Sequence, residues 1–154
     1  MQKLLVFTGL LALAPFATAE TVVYFGTYTR GDSQGIYKSS LNMDTGELSQ
    51  PELTAEVSNP SFVAIHPSGK YLYSVSEISN VHGKKTGAVC AFSVGNDGML
   101  TLLNQQESGG AGPCHVSLDP RGETVMVANY GDGSVASYPV REDGKLGEAA
   151  TVIQ

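Results

Sequence analysis

The chain has no tryptophan, and only two of its 154 residues are cysteine, Cys90 and Cys114. Two isolated thiols and three scattered histidines supply too few ligands in too loose a spacing for a structural metal site, which closes on four. In an oxidising compartment the two thiols could pair, and geometry would decide it; the other reading is two buried free cysteines. Basic residues are also scarce: nine Lys and Arg stand against fifteen Asp and Glu, for a formal charge of −6. With no cluster of positive charge to replace counterions, nucleic acid is excluded as a partner. Long hydrophobic runs are missing too. The longest, Leu4 to Leu13, is well short of the roughly 20 residues that span a bilayer, and nothing reads as a helix lying on a membrane. Charged stripes of helical period are likewise absent.

What is present is 42% hydrophobic residues, eighteen glycines, seven tyrosines and five phenylalanines. That is enough apolar material for a core, cut by many turns, and it points to an all-β chain. The first residues stand apart. Lys3, the apolar run and Ala17-Thr18-Ala19 spell a secretory leader cleaved after Ala19, so the mature protein is expected in the periplasm or outside the cell. Removing residues 1–19 takes away one Lys and no acid, which moves the formal charge from −6 to −7.

The remainder repeats. A shift of 53 residues lays Pro60 on Pro113, Val63 on Val116, Pro67 on Pro120 and Gly69 on Gly122. Each copy reads as a strand, a Pro-x-Gly turn and a second strand, with Pro setting the first turn dihedral and Gly the positive φ. A second motif follows. GAVCAFSVGNDGML (from Gly87), GSVASYPVREDGKL (from Gly133) and GIYKSSLNMDTGEL (from Gly35) each run strand-like into an Asp, then a Gly, then a Leu. Asp-Gly between strand patterns marks a hairpin, and a further strand follows it.

The unit is therefore four short antiparallel strands with a period of about 50 residues, which is the signature of a β-propeller blade. The expected organisation is a leader at 1–19 and a partial β-propeller at 20–154, with blades at about 21–57, 59–108 and 112–154. The first of these lacks its innermost strand, giving about two and three-quarter blades. Because a blade buries its faces against its neighbours, the expectation is an N-terminal portion of a longer ring.

The stretches YFGTYTRGDSQGIY, NPSFVAIHPSGKYLYSVSE and GPCHVSLDPRGETVMVANYGDGSVASYPVREDGKLGEA together resemble the family of seven-bladed propeller lactonases. These are the bacterial 6-phosphogluconolactonases and their carboxymuconate-lactonizing relatives. The resemblance covers residues 20–154, and the order PCHVSLDP, VANYG, SYPV, DGKLGEA is its specific part. It implies seven blades around a channel, a site at the channel mouth, no metal or organic cofactor, and hydrolysis of a sugar lactone, typically 6-phosphogluconolactone. It also implies that the family's main catalytic His and its Arg and Glu partners lie on later blades. An exported protein makes an unphosphorylated lactone a second candidate substrate. The alternative is a non-catalytic propeller that binds a sugar or a protein across its ring face. A third reading uses the fold for lactone formation or another ring-opening.

Opening a lactone needs an activated water, donors for the oxygen that gains charge, and a cation for any phosphate. The catalytic candidates are His115 and Glu77. His115 begins an inner strand at the repeat position of Phe62, and either lines the channel or is a hydrogen-bonded core imidazole. Glu77 closes a second strand, where it serves the site or merely caps a strand in solvent. Tyr28 and Tyr130 share its repeat position and should share its face of the ring. The substrate-binding candidates are Tyr28, Arg30, Tyr130 and Asn129; the last could instead hold a turn. His66 reads as a turn residue and Arg121 as an exposed one. His82, Lys84 and Lys85 sit in an enlarged loop that either clamps an anion or is simply solvated.

Overall fold

The computed structural model describes residues 21–154, and the leader-like segment at 1–19 lies outside them. The described residues form eleven strands and no helix. β1 (Thr21–Phe25), β2 (Gly35–Leu41) and β3 (Glu52–Glu56) make a three-stranded antiparallel sheet in sequence order. β4 (Val63–Ile65), β5 (Tyr71–Ser76), β6 (Ala88–Val94) and β7 (Leu100–Glu107) make a four-stranded sheet in the order β4-β5-β6-β7. β8 (Pro113–Leu118), β9 (Thr124–Asn129), β10 (Ser134–Pro139) and β11 (Thr151–Ile153) repeat that order. All pairings are antiparallel meanders, the architecture of propeller blades.

Period-2 alternation explains how the sheets stack. On β5 and β6, Tyr73, Val75, Val89 and Ala91 face the third sheet, where Val116, Val125, Val127, Ala136, Tyr138 and Leu146 close one core. The intervening Leu72, Cys90 and Phe92 face the first sheet and close a second core with Ile36 and Leu100. The middle sheet is thus apolar on both faces, which is why β5 and β6 read as nearly unbroken buried runs. β10 alternates instead between buried and open residues: Ala136 and Tyr138 point inward, while Val135 is 47% exposed.

Both cysteines are free. Cys90 belongs to the core between the first and second sheets, and Cys114 sits on β8, so they do not pair. Burial pushes the Cys90 thiol up to about 12.

The turns lock one sheet to the next. In the hairpin after β10, Gly144 adopts a φ of 81° and lies against the Tyr71 ring; a Cβ there would collide with it. Only glycine satisfies both demands. The Tyr71 and Tyr73 hydroxyls donate to the carbonyl oxygens of Glu142 and Gly144 at 3.2 and 3.0 Å, so this turn is fastened to β5 twice.

Candidate functional site

Asn59-Pro60-Ser61-Phe62, the segment that feeds β4, reaches all three sheets. Asn59 holds a left-handed φ of 45°, a conformation Asn tolerates better than most side chains. Its Oδ1 accepts from the Thr29 amide at 3.0 Å and the Thr29 hydroxyl at 3.1 Å, on the loop after β1. Its main-chain oxygen accepts the Glu77 amide at 2.9 Å, and its Nδ2 donates to the Glu77 carbonyl at 3.3 Å. The Pro60 carbonyl packs directly on Gly26, where any Cβ would collide with it. A glycine at 26 therefore lets the first sheet approach the segment closely.

This segment sets the surroundings of Glu77, just past the end of β5. Both the Tyr28 hydroxyl (2.8 Å) and the Ser61 hydroxyl donate to Glu77 Oε2. Glu77 Oε1 receives no hydrogen bond from the described residues, so Oε2 alone is anchored. The hydrogen bond to Glu77 raises the Tyr28 pKa, with burial adding to it. Tyr28 thus stays a neutral donor through the physiological range. The Arg30 guanidinium lies 6.0 Å from the Tyr28 ring centroid, at the limit of a cation–π contact.

His115 stands on β8, directly after a bulge: Pro113 pairs with Asn129 and His115 with Ala128, leaving Cys114 unmatched. Bulges re-aim side chains, and here the imidazole is exposed and lies against Phe62, with centroids 4.3 Å apart and planes tilted by 47°. The two occupy equivalent repeat positions in neighbouring sheets, His115 on β8 and Phe62 just before β4. His115 also borders a groove of about 310 Å³ on the outer face of the third sheet, with Met126, Val135 and Ile153. Ser61 meets Glu77 while Phe62 meets His115, so two consecutive residues tie the two chemically capable side chains together.

A family model described as lactonase, seven-bladed β-propeller, matches residues 22–154. The chain belongs to that family. The 6-phosphogluconolactonase of Bacillus subtilis is 42% identical over 124 residues, 80% of this chain and 34% of that protein. A solved structure from Bacteroides fragilis superposes with a TM-score of 0.81 at 39% identity, over 92% of this chain and 38% of the other. The periplasmic gluconolactonase of Pseudomonas aeruginosa superposes with a TM-score of 0.76 at 31% identity, over 87% and 38%. The chain spans about a third of the length of the curated relatives it matches.

In this lactonase-family chain the candidate residues divide. Tyr28, Arg30 and Glu77 come together, while His115 touches Phe62, the neighbour of the Ser61 that donates to Glu77. Tyr130 follows β9 directly and is 86% exposed, held through its amide to the Gly112 carbonyl at 2.9 Å. Of the two roles open to Asn129, substrate donor or turn holder, its surroundings favour the second. It is 2% exposed, and its Nδ2 is committed to the Ser108 carbonyl at 3.0 Å and the Ser134 hydroxyl at 3.1 Å. Its role is to hold the β9–β10 turn to the end of β7. The parity of β9 carried the signal, since Val125, Val127 and Asn129 share the face turned to the second sheet.

The other polar residues serve turns and rims. His66 bridges two turns: Nδ1 meets Ser68 Oγ at 2.8 Å and Nε2 meets the Gly122 carbonyl at 3.2 Å. Lys84 pairs with Glu107 at 2.6 Å, and His82 sits beside it at a φ of 50°. Arg121 is exposed and pairs with Glu123 at 2.8 Å. Among the described residues no group of three His, Cys, Asp or Glu side chains is placed to hold a metal ion, and no helix is long and apolar enough to cross a membrane. Sequence reading missed Ser61 and Phe62, because their partners lie on other strands or sheets.

Proposed function

We propose that the protein carrying this chain hydrolyses a sugar lactone, 6-phosphogluconolactone to 6-phosphogluconate being the first candidate, and that Glu77 and His115 take part. The observation that carries the proposal is the Glu77 carboxylate: Oε2 is fixed by Tyr28 and Ser61, and Oε1 meets no donor among the described residues. Family membership and the named relatives support the reaction class.

The chemistry follows from the groups present. Glu77 Oε1 takes a proton from a water as its oxygen bonds to the lactone carbonyl carbon. The carbonyl oxygen gains charge and needs a donor, which the Arg30 guanidinium offers from the loop that carries Tyr28. The carbonyl re-forms as its bond to the ring oxygen breaks, and that oxygen collects a proton to become a hydroxyl. His115 is the candidate to give it. Arg30 is also the cation that would meet a 6-phosphate.

Residues 1–19 support export of the protein, which cell fractionation tests. The reaction is tested by following loss of δ-gluconolactone and of its 6-phosphate in parallel, each against its spontaneous hydrolysis. Preference for the phosphorylated lactone, reduced by Arg30→Met, is the expected result. Equal rates would assign the substrate as the plain lactone, and acceleration of neither would remove the proposal.

A further inference from the structure

Phe62 carries a role that no sequence motif assigns to it. It is an aromatic residue 40% exposed at the inner edge of a sheet whose central strands bury Leu72, Tyr73, Val75, Val89 and Phe92. Its neighbours at the start of the segment are rigidly placed by the Asn59–Thr29 bonds, the Gly26–Pro60 approach and the bond from the Val75 amide to the Phe62 carbonyl at 3.1 Å. Its ring is not loose, since it lies against the His115 imidazole with planes tilted by 47°. An apolar plate and a ring bearing two nitrogens therefore meet at an angle, one residue along from the hydroxyl that anchors Glu77.

That geometry suits one class of ligand. A pyranose-type ring presents polar hydroxyls around its rim and apolar C–H groups on its faces. Pockets for such molecules combine an aromatic surface with a few placed polar groups. We propose that Phe62 is a specificity-determining residue that takes the C–H face of a six-membered sugar lactone and, by the same contact, orients His115 toward the ring's edge. This rests on the lactone reading above. It adds a preference the carboxylate alone would not give: cyclic polyol lactones over small, flexible or acyclic esters of the same reactivity.

The test uses the intact protein with Phe62→Leu and Phe62→Tyr, both checked for an unchanged thermal transition. Phe62→Leu should raise KM for δ-gluconolactone about three- to tenfold, the weight of an aromatic contact, and shrink the preference for it over γ-butyrolactone. Phe62→Tyr should restore both values to near wild type. In parallel, saturation-transfer NMR with 1,5-anhydroglucitol, a ring that cannot react, reads binding without turnover. Saturation concentrated on the ring C–H protons and lost in Phe62→Leu supports the proposal even if no lactone is hydrolysed, in which case the reaction class alone falls. Wild-type turnover with KM, preference and saturation transfer unchanged in Phe62→Leu overturns the platform and leaves the lactonase standing. No binding and no turnover by the wild type overturns both.

Discussion

The Tyr73 hydroxyl, on the second sheet, donates to the carbonyl oxygen of Gly144, on the third, at 3.0 Å, with the tyrosine fully buried. The same lock joins the first sheet to the second, where Tyr24 donates to the Gly98 carbonyl at 2.8 Å. Both tyrosines occupy one repeat position and both glycines end the same hairpin turn, so successive sheets are bolted by a single repeated device. In the third repeat Met126 stands in the tyrosine's place, and no hydroxyl is offered there.

Removing the bolt should cost what a buried carbonyl left without its donor costs. Tyr73→Phe is expected to destabilise by about 1–2 kcal/mol, read as a shift of the urea midpoint. Gly144→Ala should cost about 1–3 kcal/mol, because it forces a Cβ into the Tyr71 ring at a φ of 81°. The two effects should be less than additive, since both loosen one turn. Full additivity would argue that the turn is held elsewhere.

Alkaline stability follows from the same buried groups. Burial pushes the Tyr73 and Tyr138 phenols from 10.0 up to about 12, and the Cys90 thiol from 9.0 up to about 12. Each is neutral in the fold at a pH where the unfolded chain ionises. Their contribution is complete below pH 9 and is lost as pH rises through 12. Urea titrations between pH 8 and 12 should show stability falling across that window, and Tyr138→Phe should make the fall shallower. A curve flat to pH 11 would contradict this.

The thiols give a simple check on the packing. Cys90, buried between two sheets, should resist a thiol reagent until the protein unfolds, while the partly exposed Cys114 should react in the native state. Modification counted by mass is expected at one site natively and two in denaturant. Two fast sites in the native protein would place Cys90 at the surface.

The fold class was legible because its signals are local. Pro67 with Gly69, and Pro120 with Gly122, mark turns at fixed spacing, and the alternation between them sets strands of period two. The site was legible only in part. Tyr28 and Glu77 share a repeat position, which foretold a common face, but their 2.8 Å hydrogen bond depends on how two sheets splay. The contact of Phe62 with His115 joins positions 53 residues apart in sequence, and no local pattern encodes it. From sequence Asn129 is open to two roles; its burial favours the turn, while its neighbour Tyr130 stands in solvent.

The proposed hydrolysis depends most directly on the Glu77 carboxylate. Steady-state hydrolysis of δ-gluconolactone and its 6-phosphate should be compared for the wild type, Glu77→Gln, Ser61→Ala and Tyr28→Phe. Glu77→Gln keeps the shape, removes the base and should lower kcat by about a hundredfold or more. Ser61→Ala and Tyr28→Phe should each lower it less than about tenfold, since one donor to Oε2 remains. Full activity of Glu77→Gln on the preferred lactone would contradict the account.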